Sequence, residues 1–140
     1  MVERRESVDD LLSEARSRLE RLSPRDCFDA VERGAILIDI RSDSQRAADG
    51  LIPDARFVPR NVLEWRLDPR SEHRDAELAL VDRLVVLICN EGYQSSLAAA
   101  TVRRFGVDAT DVAGGFQAWR EAGLPVEPAR TAGTQNASGQ

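Results

Sequence analysis

An α/β fold with a parallel central sheet of about four to five strands, covered by helices on both faces, is what this sequence predicts. Two observations carry that expectation. Two short, near-continuous apolar runs, AILIDI at residues 35–40 and LVVLI at 84–88, have the composition of strands buried on both faces. Segments of helical periodicity stand between and around them, so strands alternate with helices along the chain. Strand order is not legible in the pattern.

The chain has 140 residues, about one domain's worth, and enough length to bury a core. Its net charge is −5, and no basic run is longer than Arg4-Arg5 or Arg103-Arg104. Neither a nucleic-acid nor an anionic-membrane partner is therefore expected. The apolar runs are too short to span a bilayer, and the first residues lack the apolar core of a secretory signal. Two cysteines, Cys27 and Cys89, are too few for a disulfide framework and lack zinc-site spacing. A reducing cytoplasm is the expected compartment, with no metal and no cofactor.

Residues 7–22 read as an amphipathic helix, with Val8, Leu11, Leu12, Ala15, Leu19 and Leu22 on one face. Ser7 caps it, and Asp10 stands at the capping-box position. This helix, residues 1–21, is expected as an N-terminal addition to a domain spanning 22–128. A second helix starts at Ser23-Pro24 and ends at Gly34. Cys27 lies on its apolar face with Phe28 and Val31, as a small core residue. The strand at 35–40 follows. Asp39 and Arg41 mark its carboxyl end, where open α/β sheets place ligands. They read either as ligand-facing groups or as a structural pair tying a loop down.

Residues 42–50 form a polar loop or short helix closed by Gly50. A short strand is expected near residues 55–58, fenced by Pro53 and Pro59. The connection after it takes Trp65 as its packing anchor and carries the one histidine, His73, in a charged, solvated run. Residues 75–82 read as a short helix. After Gly106 come a last short strand within 107–113, a turn at Gly114-Gly115, and a helix with Phe116 and Trp119 on one side. From residue 129 the sequence is small and polar, which predicts a disordered tail.

The chemistry concentrates at residues 84–106. The LVVLI strand runs into CNEGYQ and then into an Ala-rich helix expected over residues 97–105, capped by Ser95 or Ser96 and stopped by Gly106. Cys89 therefore stands at the carboxyl end of a buried strand, facing a helix N-terminus. Such an end presents free N–H groups and partial positive charge, which favours anions and the thiolate form of a cysteine. Gly92 suits the tight curl that points N–H groups inward as an anion nest. Tyr93 and Gln94 are left to shape the entrance.

Three segments resemble the rhodanese (sulfurtransferase) family: CNEGYQSS at 89–96, DIR with GLIPDA at 39–41 and 50–55, and GGFQAWREAGLPV at 114–126. The resemblance runs from about Leu22 to Glu127 and keeps the family's order. It implies a single-domain α/β fold and transfer of sulfane sulfur through a persulfide on Cys89. Asn90, Glu91, Gly92, Tyr93, Gln94 and Ser95 are the implied substrate-binding loop, with Arg41 and Arg60 as cations able to approach it. The implied partners are a small sulfur donor, such as thiosulfate or a persulfide, and a thiol, cyanide-like or protein acceptor. A binding or regulatory module that does not turn over is the alternative.

The chain departs from the family pattern at two places. Gln94 stands where the family loop usually carries arginine, which removes a cationic fork for a dianion. GLIPDA has Leu51 for histidine and Asp54 for glycine, departures expected to touch packing. The related cell-cycle phosphatases use a loop one residue longer ending in arginine; here Ser95 occupies that arginine's place.

Overall fold

The computed structural model describes residues 5–129. Four parallel strands form one sheet in the order β2-β1-β3-β4. They are β1 (Ile36–Asp39), β2 (Arg56–Phe57), β3 (Leu84–Ile88) and β4 (Asp108–Asp111). Six helices accompany them: α1 (Val8–Arg16), α2 (Pro24–Glu32), α3 (Asp43–Asp49), α4 (Leu63–Leu67), α5 (Gln94–Arg103) and α6 (Gly115–Glu121). A 3₁₀ turn at Arg60–Val62 leads into α4.

The period of two in β1 and β3 divides the core. Ile38, Val85 and Leu87 face one side, where they meet Ala98, Ala99 and Val102 of α5 and Leu63 and Leu67 of α4. Leu37, Val86 and Ile88 face the other, where they meet Cys27 of α2 and Phe116 and Trp119 of α6. Each strand face is thus sealed by helices, which is why both strands read as unbroken apolar runs. Small residues on α5 let that helix approach the sheet closely, and they place its first turn against the end of β3.

Several expectations are corrected. The first helix ends at Arg16, and residues 17–22 leave it. Leu22 instead forms a parallel bridge with Val112 along the outer side of β4, through Leu22 N–H to Asp111 O (3.0 Å) and Ala113 N–H to Leu22 O (2.8 Å). A chain committed to an edge pairing at residue 22 cannot stay helical up to it. Val8 and Leu11, expected on the buried face, are 72% and 46% exposed. Trp65 is not an anchor: it is 56% exposed, and its neighbours Leu63 and Leu67 fill the core, spaced one helical turn apart. Residues 75–82 make turns rather than a helix, with Leu78 buried as a plug. The expected tail falls, from residue 130 on, outside the described residues.

The segments that resemble the family are tied to one another. Leu51 and Glu127 form an antiparallel bridge, with N–H to O distances of 2.7 and 2.8 Å in the two directions. Gly50 packs so closely there that a Cβ would lie 2.8 Å from Glu127 O. Asp54 is the one non-glycine residue among the described residues with positive φ, at 70°. The family's glycine at this place thus answers a backbone demand rather than a packing one, and Asp is among the few residues that tolerate the left-handed region.

Candidate active site

Cys89 follows the last residue of β3 and is 7% exposed. Its sulfur lies at the end of the central strand pair, where the sheet stops and α5 begins. Gly92 N–H donates to Sγ at 3.2 Å and Ser95 N–H at 3.3 Å. Two backbone donors converging on one sulfur stabilise negative charge on it. Gly92 has φ 88°, which the curl of the loop requires.

The loop is held from behind by its carbonyls. Phe116 N–H donates to Cys89 O at 2.8 Å, and Gln117 N–H to Asn90 O at 3.1 Å. Gly92 O accepts from Arg16 Nη2 at 2.8 Å and from Arg21 Nη2 at 2.9 Å. A trans peptide carries its N–H opposite its C=O, and no cis bond occurs among the described residues. With those three carbonyls pinned, the N–H groups of Asn90, Glu91 and Tyr93 point the opposite way. The side chain of Gln117 adds a bond to Asn90 Oδ1 at 3.0 Å.

Gly114 and Gly115 make this clamp possible. Both have positive φ, and a Cβ on Gly115 would lie 2.6 Å from Cys89 O and 2.7 Å from Gly92 N. Gly92 returns the relation, since a Cβ there would lie 2.7 Å from Gly114 N. The three glycines let two stretches of backbone touch.

The serine reading is corrected. The helix begins at Gln94 with Tyr93 at its N-cap, so neither Ser95 nor Ser96 caps it. Both are fully buried, and their hydroxyls donate to one carboxylate oxygen, Asp111 Oδ2, at 2.7 and 2.8 Å. The Cys89 thiol in turn donates to Ser95 Oγ at 3.3 Å. Asp111 is 0% exposed and forms a two-pronged pair with Arg21, Nε to Oδ1 at 2.9 Å and Nη2 to Oδ2 at 3.1 Å. Arg16, Arg21, Ser96 and Asp111 were not among the expected site residues. The available signal is an acid at the carboxyl end of a parallel strand, where open α/β sheets place functional groups: Asp111 is the last residue of β4.

A cavity of about 510 Å³ opens over Cys89. Asn90, Glu91, Tyr93 and Gln94 line it from the loop, with Glu91, Tyr93 and Gln94 exposed. Arg60 and Asn61 line it from the 3₁₀ turn, and Arg41, Ser42 and Asp43 from the end of β1. The two arginines differ. Arg41 is 2% exposed; it grips Asp39 (Nη2 to Oδ2, 2.8 Å) and Gly50 O (2.8 Å) and stacks on Phe116 at 3.8 Å. Its grip on Asp39 is the loop-tying pair that the sequence allowed, and Arg41 also lines the cavity, with its buried Nη1 lacking a hydrogen-bond partner among the described residues. Arg60 is part-buried and pairs with Glu64 at 2.8 Å. His73 lies in an exposed turn and lines none of this cavity. Cys27 is buried in the opposite core layer, and burial pushes its thiol up to about 12.

A cysteine loop curled at the end of a central parallel strand, clamped by a double-glycine helix start, places this chain in a known class. The family of rhodanese-like domains matches residues 23–122, and the chain belongs to it. Its relatives include a sulfurtransferase of Allochromatium vinosum, 32% identical over 65% of this chain and 77% of that protein. The thiosulfate sulfurtransferase GlpE of Pseudomonas syringae is 31% identical over 72% of this chain and 87% of that protein. Among solved structures, a Rhodopseudomonas palustris protein of unknown function, named a possible tyrosine phosphatase, superposes with TM-score 0.80 and 32% identity. That match covers 91% of this chain and 99% of the other. A rhodanese-related protein of Thermoplasma volcanium shares the fold, at TM-score 0.61 and 24% identity. No helix among the described residues is long and apolar enough to cross a membrane.

Proposed function

We propose that the protein is a sulfurtransferase that carries sulfane sulfur on Cys89. The observation that carries this reading is the convergence of Gly92 N–H and Ser95 N–H on a sulfur at the floor of an open cavity. The thiolate attacks the outer sulfur of a donor such as thiosulfate. The S–S bond of the donor breaks, sulfite leaves with the electron pair, and Cys89 holds a persulfide. An acceptor thiolate or cyanide then attacks the terminal sulfur, and the Cys89 thiolate leaves. Both enzyme species are anionic. The inward N–H groups at Gly92 and Ser95 suit the inner sulfur, and those of Asn90, Glu91 and Tyr93 suit the outer one.

The donor class follows from the charges around the cavity. Thiosulfate is a dianion, and the loop offers Gln94 rather than a cation. Arg60 is the cation on the cavity wall whose partner is only part-buried. A donor of lower charge, such as a low-molecular-weight persulfide, depends less on it. A phosphatase reading has less support, because phosphoryl transfer needs a fixed cationic clamp on the phosphate oxygens, and the loop has none.

The test is a turnover assay with thiosulfate and cyanide, and with a persulfide and a thiol. Product in large excess over enzyme is expected from at least one pair. Release of no more than one equivalent would favour the carrier or regulatory module, and hydrolysis of a phosphate ester without sulfur transfer would favour a phosphatase.

A further inference from the structure

Arg21 lies in the stretch between α1 and α2, outside the residues matched by the family. Its guanidinium is nonetheless directed at the nucleophile's surroundings. One edge pairs with both oxygens of Asp111, and Nη2 also reaches Gly92 O at 2.9 Å. The Leu22–Val112 bridge fixes the backbone beside it, and Thr110 Oγ1 donates to Glu20 O at 2.9 Å on the other side. The residue is therefore pinned along β4, with its side chain turned toward the loop.

Asp111 explains why a cation is needed there. Its carboxylate is fully buried and is separated from Cys89 Sγ by one hydroxyl, that of Ser95. A buried carboxylate so near disfavours the thiolate and any persulfide anion that replaces it. Yet the same carboxylate orients Ser95 and Ser96, which lie under the loop. The site keeps the orienting group and needs its charge offset.

We propose that Arg21 is a positioning residue of the active site: it offsets the Asp111 charge behind Cys89 and, together with Arg16, holds the Gly92 carbonyl outward. The proposal rests on Cys89 being the nucleophile, as read above. The other charged groups facing the cavity are Asp43, Glu91, Arg60 with its partner Glu64, and Arg41 with Asp39. Arg16, from α1, bonds Ser96 Oγ and lies over the Tyr93 ring, and Tyr93 itself lines the entrance. All of these remain in the variants below, so a change in Cys89 reactivity reports on Arg21, through Asp111 or through Gly92 O, and the double variant separates the two.

The experiment measures the rate of Cys89 alkylation by iodoacetamide against pH, with the modified peptide identified by mass. It needs no sulfur donor, so failure of the sulfurtransferase reading leaves it intact. Arg21→Met is expected to move the midpoint of the profile up by about one pH unit, roughly a tenfold loss of reactivity at pH below it. Arg21→Met with Asp111→Asn is expected to return it more than half of the way. Asp111→Asn alone is expected to move it down, and this variant decides the matter if Arg21→Met does not fold. An unchanged midpoint in folded Arg21→Met, a double variant as displaced as the single one, or an unchanged or raised midpoint in Asp111→Asn would each overturn the proposal.

Discussion

Phe116 donates its backbone N–H to the carbonyl oxygen of Cys89 at 2.8 Å. This bond joins the start of α6 to the peptide group of Cys89, the proposed nucleophile, and it exists because Gly115 has no side chain. Gly115→Ala is expected to push the two backbones apart, since its Cβ would stand 2.6 Å from Cys89 O. Both the clash and the φ of 61° oppose the change. The expected outcome is a loss of about 2–4 kcal/mol in denaturant unfolding and at least a tenfold slower sulfur loading in the fraction still folded. Wild-type loading in a folded variant would mean that the clamp is dispensable.

Donor preference is expected to follow the cations of the cavity. Gln94 lines the cavity and is exposed, so an arginine there has room to reach a donor. Gln94→Arg is expected to raise kcat/KM for thiosulfate roughly tenfold, with little change for a low-molecular-weight persulfide. Arg60→Ala is expected to lower the thiosulfate value by about the same factor and leave the melting temperature near that of wild type. Arg41→Ala behaves differently: it strips Asp39 of its buried partner and is expected to cost about 3–5 kcal/mol of stability. Equal effects of Gln94→Arg on both donors would show that charge does not govern the choice.

Alkaline pH is expected to weaken the fold through Cys27. Its thiol has a pKa raised by burial to about 12 in the folded protein, against 9.0 for the ordinary group. Below the ordinary value both states are protonated and the contribution is fully present. Above it the unfolded chain releases a proton that the folded chain keeps, so stability falls by up to about 1.4 kcal/mol per pH unit until the folded value is reached. Cys27→Ala is expected to cost about 1 kcal/mol at neutral pH, to retain sulfur loading, and to remove this slope from unfolding curves taken at rising pH.

Asp54 sits at a φ of 70°, where glycine is at ease. Asp54→Gly is expected to stabilise the protein by about 0.5 kcal/mol, the relief of the left-handed backbone outweighing the added freedom of the unfolded chain. Denaturant midpoints with unchanged slope check it. A loss of stability would assign Asp54 a side-chain role.

What the sequence reveals and what it hides divide along the range of the interactions. The strand leading to Cys89 is legible because both of its faces are buried, so five apolar residues in a row leave little alternative. The α1 cap at Ser7 and the α2 start at Ser23-Pro24 are legible because capping is local, and both caps form. Ser95 and Ser96 mislead for the same reason. They have the composition of caps, but their hydroxyls answer to Asp111, an acid 16 and 15 residues away. Arg21 is 90 residues from that same acid, and nothing in a helical pattern distinguishes it from a solvated charge. Trp65 misleads by size: burial in α4 is decided by which side faces the sheet, and Leu63 and Leu67 are on it.

The central claim is that Cys89 carries the transferred sulfur. Intact mass after incubation with thiosulfate or a low-molecular-weight persulfide, followed by removal of excess donor, measures it directly. The expected result is a gain of one sulfur atom per chain, lost on adding cyanide, located on the peptide containing Cys89 and absent from Cys89→Ser. A folded wild-type protein that gains no sulfur from either donor, or a Cys89→Ser variant that still gains it, would contradict the account.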